Sequence, residues 1–265
     1  MKVYISADME GITGVAHWDE VSKEKGDYSQ FQKQMTAEVV AACEGCLNAG
    51  ATEIRIKDAH DTGRNILGSE LPNEAHLIRG WSGHPFSMMQ DLDDSFHSVL
   101  MVGYHSRAGS PGSPLSHTMT SKVDYLKINN RYASEFLLNS YTSAFVGVPV
   151  IFLSGDQALC EDAKLLSKNI RTVAVKSGMG DSIVSIQTKD AIKQIREITE
   201  KAVCDDVSRC QISLPDHFLV EIRYHKHQSA YKVSFFPNVK LIDPQTIQFA
   251  TDEWFEVLQL IHFVI

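Results

Sequence analysis

Five residues able to ligate a divalent metal close, or open, segments that an α/β fold would bring to one edge. Asp8 and Glu10 follow the apolar run at the N-terminus, in Ser6-Ala-Asp8-Met-Glu10-Gly. Two positions apart in extended chain, they point the same way. His60 follows a second strand signal in Lys57-Asp58-Ala-His60, and His105 a third in Val102-Gly-Tyr-His105. Glu135 opens a helical pattern and can reach in from its first turn. Imidazole with carboxylate suits zinc, ahead of manganese, iron or cobalt. A single catalytic zinc keeps a water beside roughly three protein ligands. Spread over two metals, with Asp8 bridging, the set leaves positions open for water. Two ions about 3.5–4 Å apart can activate that water near neutral pH and polarise a carbonyl. His117, after the loop of Gly, Ser and Pro that runs from Ala108 to Ser116, can reach the centre without ligating it. There it can move a proton or stabilise a tetrahedral intermediate.

Each of these residues has an ordinary structural use as well. An acid at a strand end can cap a loop, Glu135 can complement a helix dipole, and a lone loop histidine is commonly just hydrogen-bonded. The joint placement at three strand ends is what favours chemistry. In a parallel sheet the carboxyl ends share one edge, and ligands bind there at the topological switch point.

The elements that would supply that edge are legible. Lys2–Asp8, Thr52–Asp58 and Ser98–Tyr104 read as strands, with His76–Ile78 as a short edge strand. Tyr28 to Ala49 carries apolar residues at spacings of three and four, with Asp27 as cap, Gln30 at the capping-box position and Gly50 as stop. Val123–Ile128 and Tyr132 flank a tight turn at Asn129-Asn130, and Ser134 caps the helix that starts at Glu135. Pro149–Leu153 and Arg171–Lys176 are further strands, with helices at Leu159–Leu166 and Asp190–Ala202. Phe218–Tyr224 alternates, Thr246–Ala250 is a last strand, and a helix from Thr251 ends the chain. The alternation predicts an α/β fold: a mostly parallel sheet flanked by helices, with a smaller, less regular C-terminal α+β portion. The division falls at residues 1–204 for the metal-binding part and 205–265 for the portion that completes or extends it.

Composition excludes other classes. The 265 residues carry a net charge of −8, so no basic stripe serves nucleic acid. Apolar runs are strand-length, short of the roughly 20 residues a spanning helix needs. Asp8 and Glu10 interrupt any signal-peptide core. The expected setting is cytoplasmic, with no membrane partner; five irregularly spaced cysteines agree. Cys43-Glu-Gly-Cys46 lies within a helix and reads as packing, and His225-Lys-His227 as solvated. No P-loop, nucleophile elbow or dinucleotide fingerprint is present.

The motifs Asp8-Met-Glu-Gly-Ile-Thr-Gly14, Asp58-Ala-His60, Pro85-Phe-Ser-Met, Leu92-Asp-Asp-Ser-Phe96, Gly103-Tyr-His105 and Ser116-His117-Thr-Met together resemble the zinc-dependent D-aminopeptidases of the bacterial dipeptide-transport-operon type. The resemblance runs in order from Met1 to about Asp156 and more loosely beyond. It implies two Zn²⁺ per subunit on Asp8, Glu10, His60, His105 and Glu135, a catalytic His117, short D-peptide substrates and a ring-shaped homo-oligomer. Two other readings use the same residues: a metal-dependent hydrolase or phosphatase of another small substrate, and a non-catalytic small-molecule-binding assembly protein.

Overall fold

The computed structural model describes residues 1–265. In chain order the strands are β1 (Lys2–Ala7), β2 (Glu53–Asp58), β3 (Ala75–Ile78), β4 (Ser98–Tyr104), β5 (Val123–Ile128), β6 (Arg131–Tyr132), β7 (Val150–Asp156), β8 (Arg171–Met179), β9 (Ser182–Ser185), β10 (Phe218–Tyr224), β11 (Lys240–Asp243) and β12 (Thr246–Thr251). The helices are α1 (Tyr28–Asn48), α2 (Glu135–Phe145), α3 (Gln157–Leu166), α4 (Thr188–Cys204), α5 (His227–Val233) and α6 (Trp254–Val264).

The first sheet has the order β3-β2-β1-β4-β7-β8-β9. All its pairings are parallel except β8 with β9. The chain steps outward from β1 to β3, returns to β4 beside β1, then steps the other way, so the strand order reverses between β1 and β4. That reversal opens a crevice at the carboxyl ends of these two strands. β4 and β7 are buried at every position, as central parallel strands require.

The second sheet, β11-β12-β10-β5-β6, is antiparallel. β5 and β6 arise in the crossover between β4 and β7, so residues 205–265 complete a sheet begun at Val123. β10 alternates buried and half-buried residues, placing Phe218, Val220, Ile222 and Tyr224 on one apolar face. Leu137, Leu138 and Tyr141 of α2 pack into that core with Trp254 of α6. α2 thus joins the two sheets, and its first residue is Glu135.

Most element ends follow their sequence signals. Gly50 has φ +89° and stops α1, with the Ala51 N–H donating to the Cys46 carbonyl at 2.9 Å. Asn129 and Asn130 both adopt left-handed φ, 50° and 65°, in the β5–β6 turn. The Ser134 hydroxyl accepts from the Leu137 N–H at 3.2 Å. The expected cap at Asp27 does not form: its backbone is helical (φ −79°, ψ −16°), which withdraws the carboxylate from the first N–H groups. Gln30 accordingly makes no capping box. Cys43 and Cys46 are buried packing residues of α1, while His225 and His227 are exposed.

Candidate metal centre

The crevice between β1 and β4 is closed by backbone contact. The Asp8 N–H donates to the Val102 carbonyl and the Gly11 N–H to the Gly103 carbonyl, both at 2.8 Å. A Cβ on Gly11 would lie 1.7 Å from the Tyr104 carbonyl oxygen, so only glycine lets the loop after β1 cross the end of β4. Asp8 and Glu10 follow β1, His60 follows β2 and His105 follows β4. Glu135 enters from the first turn of α2, and His117 from the loop after His105.

All six side chains meet. His60 Nδ1 lies 2.9 Å from Glu10 Oε2 and 3.4 Å from Asp8 Oδ1. His105 Nε2 lies 3.5 Å from Asp8 Oδ2 and 3.4 Å from Glu135 Oε2. His117 Nε2 lies 3.5 Å from Glu135 Oε1, and its ring stacks on His105 at 4.2 Å. Three groups have ligand geometry: Asp8, Glu10 and His60; Asp8, His105 and Glu135; and Glu10, His105 and His117. The first two share only Asp8.

Each imidazole is fixed by a backbone carbonyl. His60 Nε2 donates to the Val21 carbonyl at 2.8 Å, His105 Nδ1 to that of Ser106 at 2.9 Å, and His117 Nδ1 to that of Leu115 at 2.9 Å. A nitrogen facing a carbonyl must carry the hydrogen. The opposite nitrogen of each neutral ring therefore has its lone pair turned toward the centre, which is how ligating histidines are oriented.

The electrostatics point the same way. Asp8, Glu10, His60, His105 and Glu135 are each at most 5% exposed. Burial pushes the Asp8 carboxyl up to about 8, and the neighbouring Glu10 adds to the rise. Burial opposes charge on the imidazoles too, yet Glu10 holds His60 well above its ordinary value, and Glu135 and Asp8 hold His105 up at about 10. Three buried carboxylates demand positive charge in contact. Asp8 Oδ2 and His105 Nε2, moreover, are buried without a hydrogen-bond partner. A donor set of buried carboxylate oxygens and imidazole nitrogens, partly orphaned and kept charge-balanced without metal only by holding protons, fits divalent cations that would displace those protons.

Further residues support the centre, and not all of them carry a signal in the sequence. Lys176 of β8 is buried and donates to the Glu10 and Val15 carbonyls, pinning the loop after β1 from three strands away in the sheet. Asp58 accepts from the Asn65 and Ile66 N–H groups, while Asn65 Nδ2 donates to the His60 carbonyl at 2.7 Å. In the sequence Asp58 is marked by its motif with His60, whereas a lone lysine in a strand marks nothing. A cavity of about 340 Å³ is lined by Asp8, Glu10, His60, His117, Glu135 and Trp81 among others. A larger one, about 470 Å³, lies at the opposite, amino edge of the sheet near Arg171 and contains none of these groups.

Carboxylates and oriented imidazoles at the switch point of a doubly wound sheet define a metal-dependent hydrolase. Residues 1–263 match the peptidase M55 model, described as D-aminopeptidase, and the chain belongs to this family. It is 32% identical to the D-aminopeptidase of Bacillus subtilis (strain 168) over 261 residues, 98% of this chain and 94% of that protein. Its structure is similar to the Zn-dependent D-aminopeptidase DppA from Bacillus subtilis, a self-compartmentalizing protease, with a TM-score of 0.92 and 30% identity. That match covers 100% of this chain and 96% of the other. The fold expected from the sequence, a mostly parallel sheet flanked by helices with a further α+β part, is the one observed.

Proposed function

We propose that this chain removes the N-terminal residue from short D-amino-acid peptides, using two zinc ions held by Asp8, Glu10, His60, His105 and Glu135. The observation that carries this reading is the sharing of Asp8 between two ligand triads. One triad holds Glu10 and His60, the other His105 and Glu135, with Asp8 common to both. When bound, two such ions supply Lewis acidity, lowering the pKa of a water to about 7 and polarising the scissile carbonyl.

The remaining work falls to side chains. His117 keeps Nδ1 on the Leu115 carbonyl and presents Nε2 to the cavity. It is half-buried, unlike the other five, so it can meet both solvent and substrate. In this role Nε2 accepts the proton of the attacking water and returns it to the departing amine nitrogen, which leaves as the C–N bond breaks. Asp61 is the carboxylate left over from the ligand set. It lines the cavity beside His60, and its backbone, at φ +42°, turns it out of the β2 direction. It is available to the ammonium group that distinguishes an aminopeptidase substrate.

The named relatives are D-aminopeptidases, and one is zinc-dependent, which supports the metal and the substrate class. The latter is also self-compartmentalizing, which supports a ring-shaped homo-oligomer here. Tyr231 of α5, Phe235 in the turn after it and Phe263 of α6, at 60%, 73% and 69% exposure, leave apolar surface on the second sheet's side that assembly would cover. No helix is long and apolar enough to cross a membrane, in keeping with a cytoplasmic setting.

The test compares free D-Ala-D-Ala with its N-acetyl form, using zinc-loaded protein. The reading predicts cleavage of the free peptide and none of the blocked one. Equal cleavage of both would remove the aminopeptidase assignment and leave a general amidohydrolase.

A further inference from the structure

Two tryptophans stand at the mouth of the centre, exposed where large apolar residues are ordinarily covered. Trp18 is 39% exposed and Trp81 is 42% exposed. Each walls a different lobe of the opening. The lobe of about 340 Å³ holds Trp81 with Ser87 and Met88; the adjoining lobe, about 260 Å³, holds Trp18 with Val21 and Thr120. Glu10, His60, Asp61, His117 and Met119 line both lobes and form the boundary between them. Any bond cut beside His117 therefore has one lobe on either side.

Trp81 is held from behind. Lys57 is fully buried, has no carboxylate partner, and donates from Nζ to the Asp58 and Gly80 carbonyls at 2.8 and 2.6 Å. The same ammonium lies 3.8 Å from the centre of the Trp81 ring, a cation–π contact. Trp81 Nε1 donates to the Asp61 carbonyl at 2.7 Å, which satisfies the only polar atom of the side chain. The indole is thus held by two separate contacts before any ligand arrives, one of them to an ammonium that is itself pinned by two carbonyls. Trp18 is set by a short 3₁₀ turn, Trp18–Glu20, and its ring lies 5.3 Å from that of His117. A fixed aromatic face loses little side-chain entropy when a ligand stacks on it. Neither lobe has a lysine or arginine in its lining.

We infer that Trp18 and Trp81 are specificity residues, one for each residue flanking the scissile bond, and that both select large apolar or aromatic side chains. This rests on the peptidase reading above and names the peptides that the site takes best. An indole wall offers stacking area that an alanyl methyl group cannot use. The gain over alanine is about tenfold in kcat/KM per position, the discrimination ordinary for one well-packed side chain. Lys57 acts through Trp81 and is a positioning residue.

The test is a set of kcat/KM ratios on zinc-loaded enzyme for D-Phe-D-Ala and D-Ala-D-Phe, each against D-Ala-D-Ala. The wild type is expected to favour both phenylalanyl peptides. Trp18→Ala loses the preference at one position and Trp81→Ala at the other, each by about tenfold. Trp18→Phe and Trp81→Phe restore most of it. Lys57→Met reproduces the Trp81→Ala ratio in weaker form, whereas a merely structural lysine would depress all three substrates together. Wild-type ratios near one, or ratios unmoved by either alanine variant, overturn the inference. If none of the D-peptides is hydrolysed, the peptidase reading fails by itself. The tryptophan walls are then read from the equilibrium binding of the same peptides by indole fluorescence, with buried Trp254 as constant background. Binding of the phenylalanyl peptides no tighter than of D-Ala-D-Ala overturns the inference there too.

Discussion

Asp8 Oδ2 and His105 Nε2 lie 3.5 Å apart, both buried, and neither makes a hydrogen bond. Two unsatisfied polar atoms facing each other inside a protein are costly unless something else binds them. His105 cannot turn away, because its Nδ1 is held by the Ser106 carbonyl. Asp8 cannot turn away, because its Oδ1 accepts from the Met9 N–H at 2.8 Å. The pair is set for a cation between or beside its members.

Because Asp8 belongs to two triads, its loss differs in kind from the loss of a terminal ligand. Metal analysis of Asp8→Ala is expected to find neither zinc retained after dialysis. His60→Ala and His105→Ala each lose one ion and keep the other. Full zinc in Asp8→Ala would show that the carboxylate is not shared.

His117→Ala is expected to keep both zinc ions and lose turnover by about 10²–10⁴, the usual scale for removing a general acid–base. Metal content and kcat measured on the same sample separate the two effects. If zinc is lost together with turnover, His117 is a ligand, and the group it forms with Glu10 and His105 is the relevant one.

Metal removal should also lower thermal stability. Without cations the buried carboxylates Asp8, Glu10 and Glu135 repel one another in a low-dielectric site. Zinc at about a hundred times Kd is worth about 2.7 kcal/mol per site, a rise of several degrees in Tm. Asp8→Asn should reverse the sign in chelator-treated protein. At a pH above about 8, where Asp8 is ionised, removing one of three crowded charges makes that variant melt above chelator-treated wild type, although it binds zinc poorly. A chelated Asp8→Asn that melts lower than chelated wild type would contradict the electrostatic account.

Asp61→Asn is expected to raise KM by about tenfold and leave kcat nearly unchanged, as loss of uniform binding does. The same variant should lose most of its preference for a free over an acetylated N-terminus. A change confined to kcat would place Asp61 in the chemical step instead.

Gly11→Ala is expected to abolish soluble expression or to cost several kcal/mol, since the new methyl would collide with the Tyr104 backbone. Gly14→Ala, at positive φ (+87°) unlike Gly11 but meeting only a Phe31 ring carbon at 3.4 Å, is expected to fold with a smaller loss. Circular dichroism melts of the two variants compare them directly.

The convergence of the candidate residues is largely legible because they sit next to strand ends, and strand ends are where sequence periodicity stops. The ends of β1, β2 and β4 announce themselves by apolar runs that break at Asp8, Asp58 and His105. A parallel sheet then fixes the common edge without any further information. What periodicity cannot express is contact between distant elements. Lys176 reaches the Glu10 carbonyl across the sheet, and Lys57 reaches Trp81 through a loop; in sequence each is a lysine in a strand. β5 and β6 are visible as strands, but nothing local states that β5 also pairs with β10 some 90 residues later. Asp27 shows the converse failure, where a residue of the right type for a cap lies one helical φ/ψ step too far inside the turn.

The most direct test is amine release from D-Ala-D-Ala and L-Ala-L-Ala by zinc-loaded protein, each with and without chelator. The account predicts release from the D-peptide alone, abolished by chelator and restored by zinc. Release that survives complete removal of metal, or none from the D-peptide in zinc-loaded protein, would contradict it.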